Sequence, residues 1–151
     1  MRTEEYLVAE NTSSLVSTWQ LVGHLQEDME TGERTYPRGA KPQGLLTYTD
    51  DGRFSIINAP GDRKAPKGLS PTDEEALELF KGLTAYAGRF SVDGEFVTHH
   101  VEISWNEMWS NTDQRRRFRV EGDTLTIIAG PSNSPWDGKL VRGTLTWARI
   151  R

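Results

Sequence analysis

The chain has 151 residues, no cysteine and a formal net charge of −4, with 35% hydrophobic residues. That length fits one domain; the lack of cysteine excludes disulfides, thiolate nucleophiles and Cys-based metal sites, and the negative charge gives no general attraction to nucleic acid or anionic lipid. The opening MRTEEYLVAEN has no apolar run of signal-peptide length, and no stretch approaches the roughly 20 apolar residues of a membrane span. We therefore expect a cytoplasmic protein, with 1–14 an N-terminal segment and 15–151 the folded domain, acting without nucleic acid or membrane as a partner.

In chain order, Trp19–Leu25, Gly44–Thr49 and Arg53–Asn58 alternate polar and apolar residues and are rich in β-branched and aromatic side chains, as strands are. A loop rich in Pro, Gly and Lys follows over 58–71, a surface loop by composition and a candidate lid by position. The segment SPTDEEALELFKGL predicts one short helix over about 72–83. Thr72 and Glu75 have capping-box spacing, Asp73, Glu74 and Glu75 suit the positive end of the dipole, Ala76, Leu77, Phe80 and Leu83 form an apolar face, and Gly82 ends it. Strands resume over Ala85–Val92, Phe96–Ser104, Gln114–Val120, Thr124–Ala129 and Leu140–Ile150, with a loop at Gly130–Lys139. Asp51-Gly52, Asp93-Gly94 and Gly122-Asp123 mark hairpin turns, the first two by the Asp-Gly signature of type I′ geometry. Eight antiparallel strands in this length form a sandwich or a closed barrel. The barrel is favoured because closure removes exposed edges, and eight strands leave room for one small ligand.

Alternation then sorts the side chains. In FVTHHVEIS, Val97, His99, Val101 and Ile103 share the apolar, inward face, while His100 points out with Glu102, so the adjacent imidazoles cannot both bind one metal ion from a regular strand. No metal site is expected. In DQRRRFRVEG, Arg115, Arg117 and Arg119 form an outer, solvated stripe, while Gln114, Arg116, Phe118 and Val120 face in. A guanidinium inside a barrel requires carboxylate, carbonyl or ligand-anion partners. Tyr48, Phe54, Tyr86 and Trp147 also face in. His24 falls out of phase with Trp19, Leu21, Gly23 and Leu25 and is expected on the surface. No Gly-x-Ser-x-Gly element marks a serine nucleophile.

The segments STWQLV, YPRGAKPQGLLTYTDDGRFS, AYAGRF, THHVE, RRRFRVEGDTLTI and LTWAR, spanning Leu15 to Arg149 in order, resemble the lipocalin-like domain proteins of bacteria and fungi, a group distinct from secreted lipocalins. The resemblance implies an all-β, eight-stranded up-and-down barrel with a ligand cavity. It also implies that Arg149 stacks across Trp19 at a closed end, and that His99 and Arg116 occupy the family's inward histidine and arginine positions. NEMWSNTD departs from the family's Pro-Asn-Trp-x-Gly loop and keeps only Trp109, expected near the mouth. The ligand-binding candidates are thus Tyr48, Phe54, Tyr86, His99, Trp109, Gln114, Arg116, Phe118 and Trp147. They imply a small, partly apolar and anionic ligand bound without a cofactor. The alternative is a cofactor-free cyclase, isomerase or hydratase in which His99 is the general acid/base and Arg116 stabilises an oxyanion. A solid-cored barrel acting through its surface is the third reading.

Overall fold

A computed structural model describes residues 11–134 and 136–151; residues 1–10 of the expected N-terminal segment lie outside it. Its strands are β1 (Ser17–Asp28), β2 (Arg34–Thr35), β3 (Gln43–Tyr48), β4 (Arg53–Ala59), β5 (Thr84–Asp93), β6 (Phe96–Ser104), β7 (Asp113–Glu121), β8 (Thr124–Asn133) and β9 (Leu140–Arg149), with helix α1 at Asp73–Lys81 and a 3-10 turn at Glu107–Trp109. The sheet runs β2-β1-β3-β4-β5-β6-β7-β8-β9 and closes by β1 pairing with β9, so eight antiparallel strands make an up-and-down barrel and β2 is an extra strand against the far half of β1.

The two ends differ because the connections differ. Short turns join β3–β4, β5–β6 and β7–β8 at one end, and Gly52, Gly94 and Gly122 carry their positive φ of 85°, 59° and 60°. No aspartate there has positive φ, so the Asp-Gly pairs do not form the expected type I′ turns. The Asp93↔Phe96 pairing makes Gly94 and Glu95 the two central residues, and a glycine in the first of them is the type II′ requirement. Residues 11–15 are helical and cover this end, with Leu15 fully buried and Asn11 Nδ2 donating to the Gly94 carbonyl at 2.9 Å. Trp19 Nε1 donates to Leu15 O at 2.9 Å, and the Arg149 guanidinium lies 4.3 Å above the Trp19 ring, as the resemblance implied. At the opposite end the connections are long: 29–42, 60–83, 105–112 and 134–139.

α1 has the expected capping box between Thr72 and Glu75 and ends at Gly82. Its apolar face is not buried as expected: Leu77 is 53% and Phe80 39% exposed, and the helix touches the barrel mainly through Phe80 against Trp105. The 60–72 segment is tied to α1 by Lys67 N–H donating to Glu75 Oε2 and by Arg63 Nη2 donating to Leu79 O. The Gly130–Lys139 stretch is a loop only in part: β8 continues past a bulge at Gly130-Pro131 to pair Ser132 with Val141 and Asn133 with Leu140. The outward arginine stripe is solvated as expected, with Arg117 and Arg119 paired to Glu95 and Glu121 and Arg115 over the Phe96 ring.

Two further bulges reset the alternation. In β1, Leu21 pairs with Trp147 and Gly23 with Thr146, leaving Val22 extra and 55% exposed. One inserted residue exchanges the faces of everything after it. In β6 the register skips Glu102, so Ile103, expected inside, is 67% exposed and Ser104 takes the inward position. Gly88 sits opposite this bulge, where a Cβ would lie 2.0 Å from the His100 carbonyl oxygen, so no larger residue fits without moving β6.

Candidate functional site

Inward residues change character along the barrel. Near the covered end they are closed off: Trp19, Leu46, Val97, Leu125 and Trp147 are at 0% exposure. Along the same strands, toward the long connections, His24 and Gln26 on β1, Ala129 on β8 and Gly143 and Leu145 on β9 face inward yet stay half-exposed. The interior is therefore tightly packed near the covered end and less tightly packed toward the long connections, the half in which a ligand would find room. Phe118 (7% exposed) and Trp147 belong to that packed half, Trp147 Nε1 being buried with no protein acceptor among the described residues.

Four of the expected residues come together. Phe54 stacks on the His99 ring at 4.3 Å and 16°, Tyr48 Oη lies 2.6 Å from His99 Nε2, and Tyr86 Oη lies 3.3 Å from His99 Nδ1. His99 is 1% exposed, and burial, then the Arg116 cation, then His100 lower its pKa to about 3. Burial raises the pKa of both tyrosines, so at neutral pH all three groups are uncharged. Two phenols and one neutral imidazole hold three protons but make only two mutual hydrogen bonds, so one hydroxyl proton is left for a third group. The sequence reading of His99 as a general acid/base took its reference pKa, and burial moves the imidazole below that value.

Beside His99 on β7, Gln114 is its cross-strand partner and Arg116 pairs with Val97. Arg116 is half-buried and donates to Gln114 Oε1 at 2.8 Å and to the Arg115 carbonyl at 3.1 Å. Trp109 meets Tyr86 edge-on at 5.5 Å and Trp105 at 5.2 Å, forming an aromatic rim at the open end, where it was expected.

Two inner residues were missed, His24 and Arg38. His24 is not on the surface: the bulge at Val22 turns it inward opposite Leu145, and its Nδ1 is buried without a protein partner among the described residues. Burial, then Arg38, lowers its pKa to about 4. Gly143 makes room, since a Cβ there would lie 3.4 Å from His24 Nε2. Arg38, from the β2–β3 connection, reaches across the open end and donates from Nε to Asn58 Oδ1 at 3.1 Å and from Nη2 to Thr84 Oγ1 at 2.8 Å. Asn58 is only 4% exposed, its side-chain oxygen held by that guanidinium. Gly23, a glycine within a strand pattern, was the available signal for the β1 bulge; nothing in the sequence aims Arg38 at the cavity.

The cavity therefore presents Arg38 and Arg116, and neither pairs with a carboxylate among the described residues. Among the described residues no group of His, Asp and Glu has metal-binding geometry, and no helix is long and apolar enough to cross a membrane. A separate apolar groove of about 570 Å³ runs over the outside of β3–β6, lined by Leu45, Ile57, Ala85, Ala87, Ile103 and Trp105. Its floor also includes Tyr86, whose hydroxyl meets His99.

An up-and-down barrel covered at one end and open at the other defines a lipocalin-type architecture. Residues 16–150 match the model of the lipocalin-like domain, and the chain belongs to that family. Among solved structures it is similar to a lipocalin-like protein from Bacteroides uniformis, at 13% identity over 91% of this chain and 99% of the other, with a TM-score of 0.48. No curated protein matches.

Proposed function

We propose that this protein binds a small, partly apolar anion in the open half of its barrel. The observation that carries this reading is the pair of guanidinium groups, Arg38 and Arg116, set at a cavity wall and left without carboxylates among the described residues. A half-buried cation with only neutral partners is a standing attraction for an anion, and charge-assisted hydrogen bonds contribute about twice what neutral ones do. The remaining inner polar groups fit an acceptor-bearing ligand: the Tyr48–His99–Tyr86 set has a spare hydroxyl proton to donate. Phe54, Tyr86, Trp109 and Leu145 supply apolar contact, the usual division of labour in a ligand pocket.

Two fluorescent probes test it, 8-anilinonaphthalene-1-sulfonate and N-phenyl-1-naphthylamine, which share an apolar skeleton and differ by the sulfonate. We expect the sulfonate to bind roughly 10-fold or more tightly than the neutral amine, the discrimination one charge-assisted contact provides. Equal affinities would sink the anion reading and leave a merely apolar cavity.

A further inference from the structure

The second histidine of the pair has its own constellation on the outside of the barrel. His100 Nδ1 lies 2.9 Å from Asp113 Oδ1, and His100 Nε2 lies 2.8 Å from Ser91 Oγ. The barrel register produces this. Arg89, His100 and Asp113 form one rung across β5, β6 and β7, while Ser91, Thr98 and Arg115 form the next on the same outer face. Asp113 reaches His100 directly across the strand pair and Ser91 reaches it diagonally.

The protons can be placed. A carboxylate only accepts, so in the neutral imidazole the hydrogen sits on Nδ1, Nε2 carries its lone pair, and Ser91 Oγ–H donates to it. A nucleophile hydrogen-bonded to a base that a third group orients is the signature of an activated hydroxyl, recognised by geometry rather than by chain order. The geometry points to a surface acyl-transfer site in which Ser91 is the nucleophile, His100 the general base and Asp113 the positioning residue.

In the first step the Ser91 O–H bond breaks, its proton passes to His100 Nε2, and Oγ bonds to the acyl carbon. The acyl–leaving-group bond then breaks, and the leaving group departs with that electron pair and takes the proton from His100. The product is an alkyl ester of Ser91, a poor acyl donor that water cleaves only slowly, releasing the acid and restoring Ser91, so the acyl group accumulates on Oγ. Ser91 lies within β5 opposite Thr98 of β6, the Phe90 N–H is taken by the Gly52 carbonyl, and no helix N-terminus stands beside Ser91 among the described elements to hold the oxyanion. That restricts the substrate to activated acyl donors with good leaving groups, such as aryl esters or thioesters. The open surface, with Ser91 exposed and His100 half-buried, restricts it to small acyl groups.

The test is incubation with p-nitrophenyl acetate, followed by intact mass and peptide mapping. The expected result is one acetyl group on Ser91, formed roughly 10²-fold faster than in His100→Gln, the typical contribution of a positioned base. Asp113→Asn should slow it to an intermediate rate, and Ser91→Cys should keep the acyl transfer. Ser91→Ala should stop labelling at that position, with melting and sulfonate-probe binding as in wild type, since the barrel interior is untouched. Acetyl groups on lysines with Ser91 unmodified, or equal Ser91 labelling in wild type and His100→Gln, would overturn the proposal. Neither outcome depends on the anion-binding cavity.

Discussion

Replacing Arg116 with Gln is expected to weaken 8-anilinonaphthalene-1-sulfonate binding about 10-fold, and replacing Arg38 as well about 100-fold, while N-phenyl-1-naphthylamine affinity stays within about 2-fold. Among the described residues each guanidinium holds only neutral partners: Gln114 and a carbonyl for Arg116, Asn58, Thr84 and a carbonyl for Arg38. Arg116 also depresses the pKa of His99, and Arg38 that of His24, so both cations impose positive potential on their surroundings. Removing Arg116 should therefore leave thermal stability unchanged or slightly raised, the pattern of a residue kept for function at the expense of stability. Titrations of both probes, with melting curves of each variant, check this. A loss of affinity for both probes in equal measure would mean that the arginines shape the cavity rather than attract an anion.

The second large effect is on stability. His99→Leu is expected to destabilise the protein by about 2–5 kcal/mol, because it leaves the Tyr48 and Tyr86 hydroxyls buried with no partner, at about 1–3 kcal/mol each. The triple variant Tyr48→Phe/His99→Leu/Tyr86→Phe should recover much of that loss, since an apolar core of similar shape carries no such penalty. The acid limb of stability should change too. Burial holds the pKa of His99 at about 3 in the folded protein against the ordinary 6.5, so the unfolded chain takes up a proton that the folded one refuses. Its contribution is complete above about pH 6.5 and is lost as pH falls toward 3, at up to about 1.4 kcal/mol per pH unit. His99→Leu removes that slope, leaving the parallel one from His24. Denaturant unfolding at several pH values separates these outcomes. A triple variant as unstable as the sum of its single changes would show that the hydroxyls are satisfied elsewhere.

The strands were readable because a barrel with a dry inside and a wet outside imposes a period of two, broken by turn glycines at Gly52, Gly94 and Gly122. The same rule placed His99, Tyr48, Phe54 and Tyr86 inside and His100 outside. It failed wherever one residue was inserted. The Val22 bulge hid His24, the Glu102 bulge exposed Ile103, and Gly130-Pro131 disguised the end of β8 as a loop. Period-two reading has no memory of such insertions, because they are set by how the neighbouring strand pairs. Arg38 was illegible for another reason: its aim depends on the path of an irregular connection, not on a repeating backbone. Ser91, His100 and Asp113 come from three strands, and only the register brings them into contact.

The central claim, that the ligand enters the barrel, is tested most directly by intermolecular nuclear Overhauser effects from bound 8-anilinonaphthalene-1-sulfonate. The alternative location for an aromatic probe is the outer groove over β3–β6. Contacts from the naphthalene protons to Leu145 and His24, with the Arg116 side chain beside the sulfonate, are the result we predict. Contacts to Leu45, Ile57 and Ile103 instead would place the probe on the outside wall and contradict the account.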